Sequence, residues 1–276
     1  MVVFLNIFKS KKQDKNKTDK SNGKQVEKKT QHSQKVADRK GELGEYKIDI
    51  QLDQLPDEYR YLSDLLIENP QSKSGYSQVD HVILTPYGII VIETKNYQGT
   101  IYGGKKRKTW SVNGKFKMMN PFIQNYGHIE AIKHIIEPRF HDHFISMVSF
   151  TKRCTFKVET DLRDIKSSEI LVYDVELTEF IKRKVHVQKL IHKEPLLSEQ
   201  DITSLNTILK KAHISDPAVL NKHKEALKSV VKKKTSGSAK CIVCDKPVSD
   251  KVKSYCMSNK KFDGKVYCFE HQKEMK

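Results

Sequence analysis

Residues 78–95 read QVDHVILTPYGIIVIETK, and this stretch decides the fold. Two runs of β-branched residues flank the turn-forming sequence TPYG at 85–88, and this pattern predicts a β-hairpin. A four-residue loop would pair Leu84 with Ile89. The apolar runs are nearly unbroken, which predicts that both faces of the two strands are covered.

Polar side chains end this hairpin. Counting outward from the loop sets Asp80 opposite Glu93. Two places further Gln78 faces Lys95, and the four side chains share one face because side chains alternate along a strand. Directly opposed carboxylates, with Cβ atoms roughly 4.5–5.5 Å apart, repel each other and raise one pKa unless a cation lies between them. Two such ligands suit Mg²⁺ or Mn²⁺. The alternative is a surface ion pair, but the position at the end of the most apolar hairpin favours a site.

Four short motifs carry a resemblance to a known family. In chain order they are GELGE at 41–45, QVDHV at 78–82, IETKN at 92–96, and Asn120-Pro121 followed by Gln124. Together they resemble the nuclease-related domain (NERD) family of the PD-(D/E)xK nuclease superfamily, over roughly residues 38–185. Val79, not proline, precedes the first acid. The resemblance implies an α/β fold of the restriction-endonuclease type, with a mixed central sheet flanked by helices.

The resemblance also implies roles for individual residues. Asp80 and Glu93 would bind one catalytic Mg²⁺ or Mn²⁺, and Lys95 would position the attacking water. Glu45 would reach the metal from a first helix, and Gln124 would orient the water or the phosphate. Without the resemblance, Glu45 could equally complement a helix dipole, and Gln124 could be a solvated glutamine.

Helix and strand signals surround the hairpin. Leu43, Tyr46 and Ile50 recur at helical spacing and predict a helix from residue 42 to about 55, ended by Pro56. Asn120 and the proline after it predict the start of a helix that runs to about residue 137. The other predicted elements are strands at 58–68, 100–102, 144–150 and 170–173, a hairpin at 110–117, and helices at 177–184 and from 199 onward.

A basic loop, GGKKRK at 103–108, precedes the second hairpin, whose Asn113-Gly114 pair predicts a type I′ turn. The loop and this hairpin together are the best candidate for a surface that faces DNA. Trp110 could stack on a base there, although a lone tryptophan beside a strand is more often part of the core.

The composition favours a polyanionic partner. Lys and Arg number 51 against 34 Asp and Glu, a net charge of +17 at pH 7, and such a surplus attracts nucleic acid or an acidic membrane surface. No stretch approaches the roughly 20 apolar residues of a transmembrane helix. Four of the five cysteines lie near the C-terminus, which does not resemble a secreted disulfide framework. We therefore expect a cytoplasmic protein without a membrane span.

Two pairs of metal-ligand residues lie near the C-terminus. Cys241 and Cys244 form one pair, and Cys268 and His271 form the other. Structural zinc takes four nitrogen or sulfur ligands, and these pairs supply four with no position left for water. A segment this short needs a metal to fold, because apolar burial alone is insufficient. Cys256 could replace one ligand or remain a thiol in a short helix, and the paired spacing favours the other four.

The expected regions follow from these signals. They are a disordered basic tail at 1–37, a nuclease-like domain at 38–185, a helical extension at 186–234, a linker at 235–240 and a zinc finger-like domain at 241–276. The tail is an arm that lies on phosphates, a solubilising segment or, through the apolar residues at 2–8, a weak amphipathic anchor.

The resulting hypothesis is a metal-dependent nuclease that hydrolyses phosphodiester bonds in DNA, with catalytic Mg²⁺ or Mn²⁺ and structural Zn²⁺. The alternative is a nuclease-like module with little or no activity that binds DNA or a partner protein through its basic surface and zinc unit. An enzyme that acts on RNA would share all of these features.

Overall fold

The computed structural model describes residues 44–235 and 239–275. The expected basic tail at 1–37, residues 41–43 of the first motif and residues 236–238 of the expected linker lie outside the described residues.

Strands and helices alternate irregularly along the chain. The strands are β1 (Arg60–Glu68), β2 (Tyr76–Thr85), β3 (Gly88–Lys95), β4 (Gly99–Tyr102), β5 (Thr109–Val112), β6 (Phe116–Met119), β7 (Phe144–Phe150), β8 (Cys154–Lys157) and β9 (Glu169–Tyr173). The helices are α1 (44–52), α2 (Pro121–Lys133), α3 (Leu177–His192), α4 (Glu199–Ala212), α5 (Pro217–Thr235), α6 (Asp250–Ser258) and α7 (Phe269–Glu274).

The strands form two mixed sheets. The central sheet has the order β1-β2-β3-β7-β9, in which the first three strands are antiparallel neighbours and the last three run parallel. The second sheet has the order β6-β5-β4-β8. Helices α2 and α4 pack on one face of the central sheet, and α1 and α3 pack on the other. The predicted α/β fold, a mixed central sheet flanked by helices, is confirmed.

The β2–β3 hairpin forms with the predicted register. Leu84 pairs with Ile89, and the ladder extends to Thr85 and Gly88 at the tip. Alternate residues of both strands enter the two apolar cores, and almost all are fully buried. The nearly unbroken apolar runs therefore reflect strands that are covered on both faces.

Helix α1 presents a different face from the predicted one. Tyr46 is 62% exposed and Ile50 is 46% exposed, whereas Ile48 and Leu52 are buried. Gly44 continues the buried stripe, and a Cβ there would lie 3.4 Å from the side-chain nitrogen of Asn96. The helix thus contacts the end of β3 through its smallest residue, and the prediction of a stripe that includes Tyr46 and Ile50 is wrong. Its last helical residue is 52, earlier than expected.

The segment expected as a helical extension belongs to the main core. Helix α3 runs through the expected domain boundary at residue 185 without a break. Further on, Ile202, Leu205 and Leu209 of α4 are buried in the same core as β1 and β2. Because these leucines and isoleucines cover the sheet, residues 199–212 stabilise the domain that carries the hairpin.

The second hairpin forms between β5 and β6. Asn113 and Gly114 have φ angles of 52° and 68°, and a type I′ turn requires positive φ at both positions. The ladder pairs Val112 with Phe116, so Lys115 is an additional loop residue.

Trp110 is a core residue. It is 1% exposed, its ring stacks on Phe150 at 6.4 Å, and its Nε1 donates to the Gly104 carbonyl over 3.1 Å. A Cβ on Gly103 would lie 2.2 Å from the indole, so the basic loop can pass over this ring only with glycine there. The alternative in which Trp110 stacks on a base is wrong.

Candidate active site and zinc cluster

The β2 and β3 strands separate at the acidic end of the hairpin. Their hydrogen-bonded register ends at His81 and Ile92, one step before Asp80. There the Asp80 carboxylate replaces a backbone partner, and its Oδ2 accepts a hydrogen bond from the Thr94 N–H over 2.7 Å. Continuing the register by one step sets Asp80 opposite Glu93, as the sequence predicted. The carboxylate therefore lies in the gap between the strands.

Gln78 does not join the other three side chains. Its Nε2 donates to Asp64 on β1 over 2.5 Å. Asp64 has a φ of 51°. The β1–β2 ladder pairs the residues on either side of Asp64 and Asp80 but does not pair these two with each other. The side chains of β2 alternate in the opposite sense beyond this irregularity. Val79 and Val82, three residues apart, therefore enter the same core. The expectation that all four polar side chains share one face holds for three of them at most.

Lys95 is held by two partners. Its Nζ donates to Glu93 Oε1, and it also donates to Gln124 Oε1 over 3.0 Å. Burial opposes the charge of Lys95, but the neighbouring Glu93 carboxylate outweighs it and raises the pKa of the lysine. Asn120 is the N-cap of α2, and its Oδ1 accepts a hydrogen bond from the Phe122 N–H over 2.9 Å. The helix that begins there brings Gln124 to Lys95.

His128 is a site residue to which the sequence gave no role. Its Nε2 lies 3.2 Å from Glu93 Oε2, and both side chains are buried. Burial raises the pKa of Glu93, but Lys95 and then His128 outweigh it, so the pKa is lowered. The available signal was the four-residue spacing from Gln124, which places both side chains on one face of α2.

Glu45 stands beside this group on α1. Burial, and then the charge of Asp64, raises the pKa of Glu45. Burial, and then the charge of Glu93, raises the pKa of Asp80 well above its usual range, and Glu45 adds to that shift. The three carboxylates expected to share a metal therefore interact electrostatically.

A polar contact fixes α1 against the sheet. His81, which is fully buried on β2, has its Nε2 3.1 Å from Asp49 Oδ1, and the Ser63 hydroxyl donates to the same oxygen. These contacts lie one turn beyond Glu45 and hold the helix that carries it.

The acidic group fits a hard divalent cation in its chemistry. The carboxyl groups of Glu45, Asp64, Asp80 and Glu93 repel one another beside a single lysine, Lys95, and carboxylate oxygens are the ligands that Mg²⁺ and Mn²⁺ prefer. Burial and then repulsion by Glu93 raise the pKa of Asp80, and a bound cation would offset both. Among the described residues, these carboxylates do not form a group of three ligand atoms all within 4.8 Å of one another. Lys95 is the cation that contacts Glu93 in this arrangement.

The four expected zinc ligands come together. Single ligand atoms of Cys241, Cys244, Cys268 and His271 all lie within 4.8 Å of one another. Cys244 Sγ is 3.8 Å from Cys268 Sγ, and His271 Nδ1 is 3.5 Å from Cys241 Sγ. Tetrahedral zinc, with Zn–S of about 2.3 Å and Zn–N of about 2.0–2.1 Å, requires ligand separations of ~3.8 Å and ~3.5 Å. The cluster could therefore hold a zinc ion.

One thiol of the cluster, that of Cys241, is already shifted toward its metal-binding form. Burial raises the pKa of Cys241, but backbone N–H groups of Cys268 and Val243 outweigh it and lower the pKa to about 6. A lowered pKa favours the thiolate, which is the form that binds zinc.

Cys256 lies outside the cluster. It is fully buried in a small core with Val248 and Phe262. Its sulfur accepts hydrogen bonds from the Tyr267 N–H at 3.5 Å and from Gln272 Nε2 at 3.3 Å. The alternative in which Cys256 replaces a zinc ligand is not supported by these contacts.

A mixed sheet whose central hairpin ends in two carboxylates and a lysine is the arrangement expected of a nuclease-related protein. The family model described as nuclease-related domain matches residues 40–151, which include Glu45, Asp80, Glu93, Lys95 and Gln124. The chain is also 30% identical over 188 residues to an uncharacterized protein of Bacillus anthracis, an alignment that covers 67% of this chain and 82% of the other. The chain belongs to the nuclease-related domain family. No solved structure matches it. Within the described residues, none of the helices combines the length and the apolarity that crossing a membrane would demand.

Proposed function

We propose that this protein is a metal-dependent nuclease that hydrolyses phosphodiester bonds in DNA. The observation that carries the proposal is the position of Lys95. Its ammonium group is held between Glu93 and Gln124, at the point where β2 and β3 separate around Asp80. A fixed cation beside partly unneutralised carboxylates suits a phosphate that arrives together with a divalent metal ion.

Asp80 and Glu93, with Glu45 beside them, would hold one Mg²⁺ or Mn²⁺. When bound, the ion supplies Lewis-acid stabilisation of the negative charge on the phosphate. Lys95 stays charged at neutral pH because its pKa is raised, and it positions the attacking water next to the scissile phosphate. Gln124 fixes the direction of the ammonium group.

The surroundings of the site favour nucleic acid as the substrate. Lys106, Arg107 and Lys108 are exposed on the basic loop. Asn120 fixes this loop to α2, because its Nδ2 donates to the Arg107 carbonyl over 2.9 Å and its N–H donates to the Lys108 carbonyl over 3.1 Å. The same helix carries Gln124, so the phosphate-binding charges and the site are parts of one rigid unit.

The zinc unit has a structural role in this proposal. Its four ligands leave no position for water or substrate, so a zinc ion there would stabilise the fold of residues 239–275 and take no part in hydrolysis.

The test is cleavage of supercoiled plasmid, linear duplex, single-stranded DNA and single-stranded RNA with Mg²⁺ or Mn²⁺. The Asp80→Ala protein is assayed beside the wild type, and Glu179→Ala, which changes an exposed acid on α3, is the matched control. We expect the wild type and the control to cleave DNA and the Asp80→Ala protein to be inactive. Equal nicking by all three proteins would refute the assignment. DNA binding without cleavage by the wild type would favour the inactive binding module. Cleavage of RNA alone would show that the substrate is RNA and not DNA.

A further inference from the structure

One aromatic ring on the second hairpin is exposed although it lies on the inward face of its strand. Phe116 shares a face of β6 with Met118, which is buried, because side chains alternate along a strand. Phe116 is nevertheless 59% exposed. Its ring lies 6.0 Å from the ring of Tyr97, at an angle of 46°. The ring therefore overhangs the edge of the core and presents an apolar face to solvent.

Tyr97 joins this ring to the candidate active site. It lies two residues beyond Lys95, and the Thr151 N–H donates to the Lys95 carbonyl over 3.1 Å. The Tyr97 ring also lies 6.4 Å from the buried Phe150. The backbone is fixed as well, since the Thr151 hydroxyl donates to the Tyr97 carbonyl over 3.0 Å. The aromatic edge is thus ordered by the core before any ligand arrives.

Positive charges flank the aromatic edge. Lys115 is exposed in the turn next to Phe116. Arg153 is also exposed, and its Nη2 donates to Asn96 Oδ1 next to Tyr97. Phosphates spaced along a strand with unpaired bases between them match cations on two sides of an aromatic pair. A duplex does not match it in the same way, because its base faces are covered by stacking except at the ends.

We propose that Phe116, supported by Tyr97, stacks on an unpaired base of the substrate, so that the strand presented to Lys95 is single-stranded nucleic acid. This inference rests on the proposed function, because it takes Lys95 as the group that faces the scissile phosphate. It deepens that function by naming the class of substrate.

The test measures binding by fluorescence anisotropy, with the full-length protein and no added Mg²⁺ or Mn²⁺. The probes are labelled DNA of about 20 nucleotides, longer than the ~4–16 nucleotides that one binding module covers, the RNA of the same sequence, and the blunt DNA duplex. The variants are Phe116→Ala, Phe116→Trp, which keeps a stacking ring, and Met119→Ala. Met119 is a matched control because it is 53% exposed on the same strand but points to the opposite face.

We expect Phe116→Ala to weaken binding of the single strand roughly tenfold, the size of one lost base–aromatic contact, and to leave duplex binding unchanged. Phe116→Trp and Met119→Ala should both bind the single strand with the affinity of the wild type. A dependence on Phe116 for either the DNA or the RNA strand supports the proposal. Unchanged single-strand binding by Phe116→Ala, an equal loss for the duplex, or an equal loss in Met119→Ala would overturn it.

The two proposals fail in different ways. A protein that binds single strands through Phe116 but cleaves nothing with either metal would refute hydrolysis and leave the stacking contact intact. A protein that loses cleavage with Asp80→Ala, but whose single-strand affinity ignores Phe116, would keep the nuclease and refute the stacking contact.

Discussion

His128 Nε2 lies 3.2 Å from Glu93 Oε2, and the two side chains meet in the buried part of the candidate site. Glu93 therefore has Lys95 on one oxygen and His128 beside the other. Burial acts against the charge of both acids at this edge, yet these neighbours lower the pKa of Glu93 while the pKa of Asp80 is raised. Two neighbouring carboxylates with opposite shifts are typical of sites in which one group stays ionised and the other is ready to exchange a proton or a cation.

Replacing His128 should weaken both stability and activity. In His128→Ala the buried Glu93 carboxylate loses the neighbour that, after Lys95, helps to offset its burial, and we expect a loss of about 1–3 kcal/mol in the free energy of unfolding, the range for changes beside buried charged groups. Urea denaturation measures this loss, and the plasmid assay should show slower cleavage. His134→Ala, which changes the exposed residue at the C-cap of α2, is the control and should change stability by less than about 0.5 kcal/mol. Equal effects of the two substitutions would contradict a role for His128 at Glu93.

Asp80 should destabilise the protein at neutral pH when no divalent cation is added. Because its folded-state pKa is raised, the folded chain holds this proton more tightly than the unfolded chain does. The contribution of Asp80 to the free energy of unfolding is thus most favourable below the ordinary aspartate pKa of about 3.9. This contribution is lost as pH rises through the raised pKa of the folded state. Asp80→Asn keeps an oxygen for the Thr94 N–H and removes the charge. We expect a gain of about 0.5–2 kcal/mol at pH 7 and none at pH 4.

Thermal unfolding as a function of pH checks this expectation, since about 1 kcal/mol shifts Tm by about 2–4 °C in a protein of roughly this size. Added Mg²⁺ or Mn²⁺ should stabilise the wild type more than the Asp80→Asn protein. The exposed Asp57→Asn serves as the control and should leave the pH profile unchanged. A wild type that is at least as stable as Asp80→Asn at pH 7 without added metal would contradict the expectation.

The hairpin could be predicted from sequence because its determinants are local. The β-branched runs and the turn residues lie within a few positions of each other, and they fix the pairing of Leu84 with Ile89. The face of α1 could not be predicted in the same way. Tyr46 and Ile50 have the right spacing, but the small Gly44 is what allows the helix to contact Asn96 at the end of β3, and that choice depends on the partner surface.

Some features of the candidate site could likewise be predicted from the sequence, and others could not. Counting residues outward from the loop predicted that Asp80 faces Glu93, and Lys95 lies two places on. The turn of Gln78 toward Asp64 depends on a positive φ within β1, which no residue pattern announces. The contact of His128 with Glu93 depends on how α2 lies across β3. The contrast between the buried Trp110 and the exposed Phe116 could not be predicted either. Both aromatic residues belong to one hairpin, and only their positions relative to the core decide which one is buried.

Removing a zinc ligand should unfold the C-terminal unit, whereas removing Cys256 should not release a metal. We expect one zinc ion per chain in the purified protein by elemental analysis, and its loss in Cys241→Ser. Cys256→Ser should keep the zinc, because Cys256 contacts Tyr267 and Gln272 instead of the cluster. Its small core would still be destabilised, as a hydroxyl replaces a buried thiol. Loss of zinc from Cys256→Ser and its retention in Cys241→Ser would contradict the ligand assignment.

Asn120 should be needed for two separate reasons. Its Oδ1 caps α2 at the Phe122 N–H, and its Nδ2 holds the basic loop through the Arg107 carbonyl. Asn120→Ala removes both contacts in a fully buried position, and we expect a loss of about 2 kcal/mol, the upper end of the range for N-caps. Trypsin should then cleave the basic loop faster. Ser198→Ala removes the cap of α4 and should lower stability by about 1 kcal/mol, yet leave that cleavage unchanged. An Asn120→Ala protein whose loop resists trypsin as well as the wild type does would show that the cap, not the loop contact, explains why asparagine stands at this position.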